Sequence, residues 1–456
     1  MRKLVFAIIC LLLIGAAVVW YFLQDNDKAR NVLPKDVTAV AVFEPADFFE
    51  DLGFNPSKAG KLVQNLEDVV EGIDLSKPVY AFASENGLSG IALNVRDVEK
   101  LLKAFSFFGY VSEEQEDFQW VANKSSIGCI DKDKMLLCGP VSATGQDALR
   151  REMSKLMSQG RQDVPVVEKA LKQKGVLKLS TSFSNLPKEY ARSFPADADL
   201  SKAFLDAALR IDEKAIVLSA KVEGVENLSL PLAPIKGTLT NMQPEKPCLW
   251  LCANMKGEEL LPHLRKVPEL RSALLALNMC VDADLMIKAI DGDVMLAVPK
   301  ADFQHPDFLF TARLANTDFL ANSDDWQVGR RNNKDFFIRQ NGMEVFFGVR
   351  EGCLYIASNT ELADKACLDA EDNDSREAAK GKYLSASLDI GQIIESYPGV
   401  AIMLKALPQV REITDAFERV SVNSDSPQSM ELSIHTNKPI KEIIQNLWSL
   451  MTGDKK

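Results

Sequence analysis

Eight cysteines, three histidines and a few carboxylate pairs are the side chains that could carry chemistry in this 456-residue chain, and their spacing argues for little of it. The histidines, His263, His305 and His435, are far apart in sequence. His263 follows Pro262 in a helical pattern and His435 alternates within a strand pattern, so neither reads as a metal ligand or a general base. No H-E-x-x-H, C-x-x-C, G-x-S-x-G, P-loop or G-x-G-x-x-G spacing occurs, which lowers the expectation of a hydrolase, a kinase or a dehydrogenase together. Asp282/Asp284 and Asp291/Asp293 could be paired carboxylates for calcium or acid and base work, but Asp291-Gly292 reads as a tight turn. The run Asp369 to Glu377 has the composition of a calcium loop and lacks its central glycine. No catalytic residue, metal site or cofactor is expected.

The cysteines stand at positions 10, 129, 138, 248, 252, 280, 353 and 367, which is not the spacing of a small disulfide framework. Buried thiols are expected at most of them. The exception is Cys129 with Cys138: centred on the Lys132 to Lys134 turn, they could face each other across a hairpin and form one cross-strand disulfide. Cys248 and Cys252 would share one face of a strand about 13 Å apart, too far to bridge. Two charged loops are the other candidates. Ser112 to Asp117 carries Glu113, Glu114 and Glu116, and Gly329 to Asp335 carries Arg330, Arg331 and Lys334. Loops of opposite sign at equivalent places could pair between domains or between molecules.

They are equivalent because the stretch behind them occurs twice. Asp117 to Pro140 and Asp335 to Ser358 align without a gap, matching at Asp117/Asp335, Phe118/Phe336, Asn123/Asn341 and Leu136/Leu354. In this overlay Cys129 lies opposite Phe347, Cys138 opposite Ile356 and Cys353 opposite Met135, so cysteine replaces ordinary apolar residues. Each copy reads as three antiparallel strands, with Asn341-Gly342 a strong hairpin signal in the second.

Upstream, Leu4 to Leu23 is twenty residues without a charge, about 30 Å as a helix, the thickness of a bilayer core. Arg2 and Lys3 precede it, so that end should stay in the cytoplasm and the rest be exported. Gly15 and Ala17 would suit signal peptidase, but the continuing VVWYFL is unlike a cleavage flank, and an uncleaved single-pass anchor is expected. The expected organisation is an anchor at 1–24, a polar linker at 25–32, a first α+β repeat at 33–236 and a second at 237–456. Helices should include one opened by a Thr144/Asp147 capping box, one over about Glu258 to Leu277 interrupted near Pro262 and Pro268, and one starting at Asn359-Thr360. The fold class is therefore α+β: two tandem duplicated domains of mainly antiparallel sheet with packed helices, behind one transmembrane helix.

Composition excludes one partner. The formal charge is -11, and it becomes -13 for the 51 basic and 64 acidic side chains beyond Arg2 and Lys3. An acidic body without a Lys/Arg run is a poor match to a phosphate backbone, so no nucleic acid is expected.

Three motifs carry a resemblance: Leu33 to Phe43 (LPKDVTAVAVF), Gly72 to Phe82 (GIDLSKPVYAF) and Gly90 to Leu101 (GIALNVRDVEKL). With the N-terminal apolar signal, the chain resembles uncharacterised envelope proteins of Bacteroides-type bacteria, grouped as a domain of unknown function. The resemblance implies an envelope location and brings no catalytic residues; this chain departs from its lipoprotein members in lacking a lipobox at Cys10. The expected function is a non-enzymatic, membrane-tethered, periplasmic binding or assembly module with an envelope protein or lipid as partner. Two alternatives stand beside it: an envelope hydrolase or transferase with a carboxylate site between the domains, and a binder of lipid or another hydrophobic ligand, which would need an apolar cavity between sheet and helices.

Overall fold

A computed structural model of the chain describes residues 27–53, 66–115, 117–141, 145–183, 199–225, 231–239, 242, 244, 247–300, 307–332, 335–340, 343–368, 377–396 and 408–452. The expected span Leu4 to Leu23, the Thr144 cap, the Asn341-Gly342 turn and most of the acidic run at 369–377 lie outside the described residues. Among those described, no helix is long and apolar enough to cross a membrane. The architecture is mixed α and β, with every paired strand antiparallel. The chain divides into two compact units, 1–50 with 54–185, and 51–53 with 186–456.

In the first unit the strands are β1 (Val37–Phe43), β2 (Val79–Ser84), β3 (Ser89–Asn94), β4 (Val111–Gln115), β5 (Phe118–Ala122), β6 (Ile127–Asp131), β7 (Lys134–Cys138) and β8 (Leu177–Ser182). They lie in the order β8-β1-β2-β3-β7-β6-β5-β4. The expected three-strand meander is β5 to β7, and the segment expected as a charged loop before it is itself strand β4. Helix α1 (Leu66–Gly72) is followed by α2 (Val98–Phe107), which starts where the Asp97 carboxylate accepts from the Lys100 amide at 3.1 Å, as an N-cap should. Its buried Leu101 and Ala104 cover one face of the sheet, where Leu93, Val95, Val121, Ile130 and Met135 form the core. Alternation puts Cys129, Leu136 and Cys138 on the opposite face. Two more helices are α3 (Gln146–Ser158) and α4 (Pro165–Lys172), the second with proline in its first turn, where the missing amide costs nothing.

The segment expected as a linker is built into this unit. Ala29–Val32 forms a 3₁₀ turn with Ala29, Arg30 and Val32 buried. Asp27, 5 % exposed, accepts from the Tyr80 hydroxyl and from Asn94 Nδ2 at 2.8 Å, and Asn94 Oδ1 accepts from the Lys28 and Ala29 amides at 2.8 and 3.1 Å. The polarity of Asp27 serves buried hydrogen bonds, while Lys28 is exposed.

The second unit contains β9 (Phe204–Asp212), β10 (Ala215–Glu223), β11 (Leu232–Ala233), β12 (Leu249–Lys256), β13 (Ile290–Val298), β14 (Leu309–Leu314), β15 (Gly329–Arg330), β16 (Asp335–Gln340), β17 (Met343–Arg350), β18 (Cys353–Ala357), β19 (Leu384–Asp389), β20 (Phe417–Ser426) and β21 (Ser429–Thr436). Their order is β9-β10-β21-β20-β19-β12-β13-β14-β18-β17-β16-β15, with β11 beside β12. The eight strands β12 to β19 follow the order of β1 to β8. The units divide well before the boundary expected at 236, because β9 and β10 ladder onto β21 near the C-terminus.

Helices α5 (Gly257–Lys266) and α6 (Pro268–Asn278) replace the single interrupted helix, broken at Val267 before Pro268. They are followed by α7 (Ala283–Lys288), α8 (Thr360–Lys365), capped by Asn359 accepting from the Leu362 amide, and α9 (Ile440–Thr452). One sheet face carries the core around Val294, Ala312, Phe336, Phe347 and Leu354, the other the core around Met295, Leu309, Phe346, Tyr355 and Ala357.

Asp291-Gly292 is not a tight turn. It lies within β13 at a bulge, where Gly292 has φ +134° and the register shifts between Ile290 and Val294. The bulge aims Asp293 inward. Fully buried, it accepts from the Lys236 amide, the Thr238 amide and hydroxyl, and Asn254 Nδ2, all within 2.9 Å. Asp282 caps α7 through the Leu285 amide, and Asp284 pairs with Arg265. Each of these three aspartates has a structural partner.

Candidate functional site

The feature of the second unit best formed to receive a ligand is a cavity of about 340 Å³ between α6, α7 and the sheet. Its roof is Leu274 and Leu277 of α6 with Ala283, Met286 and Ile287 of α7, and Val281 joins the two helices. Its floor is built by alternation: Ile338 of β16 pairs with Val345 of β17, Phe347 of β17 with Ile356 of β18, and Ile356 with Phe310 of β14. Such cross-strand neighbours lie roughly 5 Å apart and make a continuous hydrocarbon surface. All thirteen lining residues are apolar, so nothing in the cavity can hold a metal or activate a water.

The roof exists because α6 packs weakly. Pro268 sets its first turn, and the sequence PELRSALLALN places apolar residues around the whole circumference. A helix of that kind is ordinarily buried. Here only Leu274 is buried, while Leu275 is 64 % exposed, Leu270 and Leu277 are each 44 % exposed, and Met279 just beyond is 77 % exposed. Leu277 lines the cavity and also faces solvent, which marks the mouth. Sequence reading gave the run only as the end of an interrupted helix over about Glu258 to Leu277. The signal that could have found it is the loss of a polar face directly after a proline break.

A polar cluster adjoins the core on the other sheet face. Asp335, 5 % exposed, accepts from the Tyr355 hydroxyl at 2.6 Å, from Arg350 at 3.3 Å and from the Asn332 side chain. Burial pushes its carboxyl up, but the Tyr355 and Asn332 hydrogen bonds and the Arg350 charge outweigh burial and hold it below the usual range. Burial and the Asp335 carboxylate raise the Tyr355 hydroxyl. The exposed Arg331–Asp364 pair nearby, at 2.8 Å, lowers the Asp364 carboxyl. Groups held firmly ionised or firmly protonated are poorly placed to exchange protons near neutrality.

The residues singled out from sequence fall elsewhere. Glu113 pairs with Arg150 of its own unit, whose guanidinium also lies 5.1 Å over the Trp120 ring, and Glu114 is exposed on β4. Arg330 pairs with Asp324 and Arg331 with Asp364, both within the second unit. Glu116 and Lys334 lie outside the described residues. Cys129 and Cys138 are both free and buried, and they are not opposite one another. The β6–β7 hairpin closes on the two-residue turn Lys132-Asp133, so Cys129 pairs with Leu136 and Cys138 with Ile127. A turn centred slightly further along would have been needed to match them. Burial pushes both thiols up to about 12.

No curated protein matches the chain. Among solved structures it is similar to crystal form I of TP0453, at 13% identity and a TM-score of 0.31, covering 44% of this chain and 79% of that one. Crystal form III of TP0453 gives 14% identity and a TM-score of 0.31, covering 44% and 80%; form IV gives 15% and 0.29, covering 42% and 79%. One protein-family model covers most of the chain, from residue 53 to residue 438.

Proposed function

The chain belongs to the family that this model describes, Domain of unknown function (DUF4836), and from that premise we propose a non-enzymatic, membrane-anchored extracytoplasmic protein that takes a hydrocarbon chain of lipid type into its second unit. The cavity carries the reading. At about 340 Å³ it falls within the range of small-molecule sites, roughly 300–1,000 Å³, and exceeds twice the ~150 Å³ apolar void that binds benzene. Water against this apolar lining costs free energy in proportion to the area it wets, about 25 cal/mol per Å². Hydrocarbon offsets that cost. No lining residue can partner a headgroup, so any polar end stays at the mouth beside Leu277.

The reading includes a duplicated pair of α+β domains. The shared strand order of β1 to β8 and β12 to β19 supports it, as does the β10–β21 ladder, where Leu218 pairs with Leu432, its repeat equivalent. Placement in the envelope of a Bacteroides-type bacterium, with Leu4 to Leu23 as the anchor and the body in the periplasm, belongs to the same proposal.

The test is extraction of the full-length protein from its native membrane, followed by mass spectrometry of the lipids that accompany it. An acyl lipid near one per chain, depleted when the cavity is narrowed by Ala283→Leu, supports the reading. The same trace lipid with both proteins sinks it. The anchor is tested separately, by resistance of the chain to alkaline carbonate extraction and by its cleavage with protease added from the periplasmic side.

A further inference from the structure

We propose that Cys353 and Cys367 are a disulfide pair, oxidised to one internal bond as the chain folds and stapling α8 to the β17–β18 hairpin. Cys353 opens β18 and is fully buried; Cys367 follows α8, is 5 % exposed, and shares a core cluster with Cys353, Tyr355, Leu362 and Ala366. Cys353 pairs across the hairpin with Arg350, whose side chain reaches α8 just ahead of Cys367, and each thiol is the other's strongest electrostatic neighbour. Cys367 also has φ +63°, a left-handed backbone that a non-glycine residue seldom adopts without a constraint around it. A second contact fixes the same two elements: Arg350, at the end of β17, donates to the Ala363 and Asp364 carbonyls of α8 at 2.6 and 3.0 Å.

Once the chain is folded, three of the other thiols are kept out of exchange. Burial pushes Cys129, Cys138 and Cys252 up to about 12, which leaves them inert. In the folded chain the neighbouring Cys367 lowers the Cys353 thiol against burial, and Cys353 together with burial raises Cys367. Either sulfur can attack first, since neither shift exists before α8 docks. The oxidant is a disulfide, either glutathione disulfide or a disulfide-bearing oxidase. With Cys353 first, its sulfur attacks one oxidant sulfur, forming a mixed disulfide and releasing the first oxidant thiolate. Cys367 then gives up its proton, attacks the Cys353 sulfur and expels the second thiolate. Two electrons and two protons leave the protein, and the oxidant becomes two thiols. Because both sulfurs are buried in the fold, the exchange takes place before α8 docks.

The experiment needs neither export nor a bound lipid. The full-length chain is reduced, unfolded, refolded in mixed reduced and oxidised glutathione, alkylated in denaturant and mapped without reduction. The expected result is a Cys353–Cys367 linked peptide, an intact mass lower by about 2 Da, and a Tm that falls by roughly 5–10 °C on reduction. Cys353→Ser and Cys367→Ser should each remove the link and the response to reductant. The inference is overturned if both cysteines of the refolded wild-type chain are alkylated, or if Cys367 is linked to another cysteine. That mapping stands even where a variant fails to fold.

Discussion

Ala283 lines the cavity from the first turn of α7, almost fully buried, and its replacement by leucine separates a ligand cavity from a packing defect. The added three carbons occupy space that about three ligand methylenes would otherwise fill. At about 0.8 kcal/mol per buried methylene, binding weakens by about 2.4 kcal/mol, or roughly fifty-fold. In the ligand-free protein the same carbons remove empty volume, so stability should rise or hold. Opposite signs from one substitution are the signature. The assay displaces a fluorescent fatty acid with saturated chains from about eight to eighteen carbons, alongside thermal unfolding of the ligand-free proteins. Wild-type affinity should grow about fourfold per methylene until the cavity fills and then level off. In Ala283→Leu the levelling should come about three carbons earlier. Equal affinities and equal plateaus in the two proteins would refute the reasoning. So would a Tm lowered by Ala283→Leu, because overpacking means that the space is closed in solution.

Three further substitutions test the polar parts. Asp335→Asn leaves Tyr355 and Arg350 with a weaker acceptor and should cost about 2–4 kcal/mol in urea unfolding at neutral pH. The folded Asp335 carboxyl titrates below its unfolded value, so its contribution is complete above the ordinary carboxylate range and is lost as pH falls through that range and below. The variant should therefore show a flatter acid limb between pH ~2 and ~5, and an unchanged limb would count against the cluster. Asp27→Ala removes the acceptor for Tyr80 and Asn94, should cost about 1–3 kcal/mol, and should open residues 27–33 to limited proteolysis ahead of β1. Glu113→Lys breaks an exposed pair with Arg150, so less than ~1 kcal/mol and no change in self-association at low salt are expected; altered sedimentation would revive the pairing of the charged loops.

Local order was readable where the code is local. The apolar alternation before and after Lys132 and Glu351 yields β5 to β7 and β16 to β18, and Asn359 caps α8. What failed depends on partners distant in the chain. Asp27 and Arg30 read as linker because their polarity is visible and Tyr80, Asn94 and Glu168 are not adjacent. Asp293 read as part of a turn because aspartate-glycine usually makes one, whereas the bulge answers to Lys236, Thr238 and Asn254. The Cys129–Cys138 pairing failed by register alone, since a hairpin turn displaced along the chain changes every cross-strand partner. The cavity is the extreme case. Alternation says that Ile338, Val345, Phe347 and Ile356 face one way, but not whether the helix above them fills the space.

How that space stays open follows from what stands over the equivalent sheet in each unit. In the first, α2 presses Leu101 onto Leu93, Val121 and Met135, with Phe105 packed against them. In the second, the corresponding stretch is a 3₁₀ segment, Asp318–Asp325, and Phe319 with Trp326 stacks at 6.4 Å beside Phe336 and Phe347. Aromatic stacking fills that end of the floor, and α6, with one buried leucine, and the short α7 are left to roof the remainder. A binding site of hydrocarbon needs this arrangement, because affinity comes from volume that the protein's own side chains decline to occupy. In a chain with two similar sheets, one well-packed core can hold the fold while the other leaves that volume free. A ligand that enters is then bound by the same dispersion and desolvation terms that a leucine from α2 supplies in the first unit.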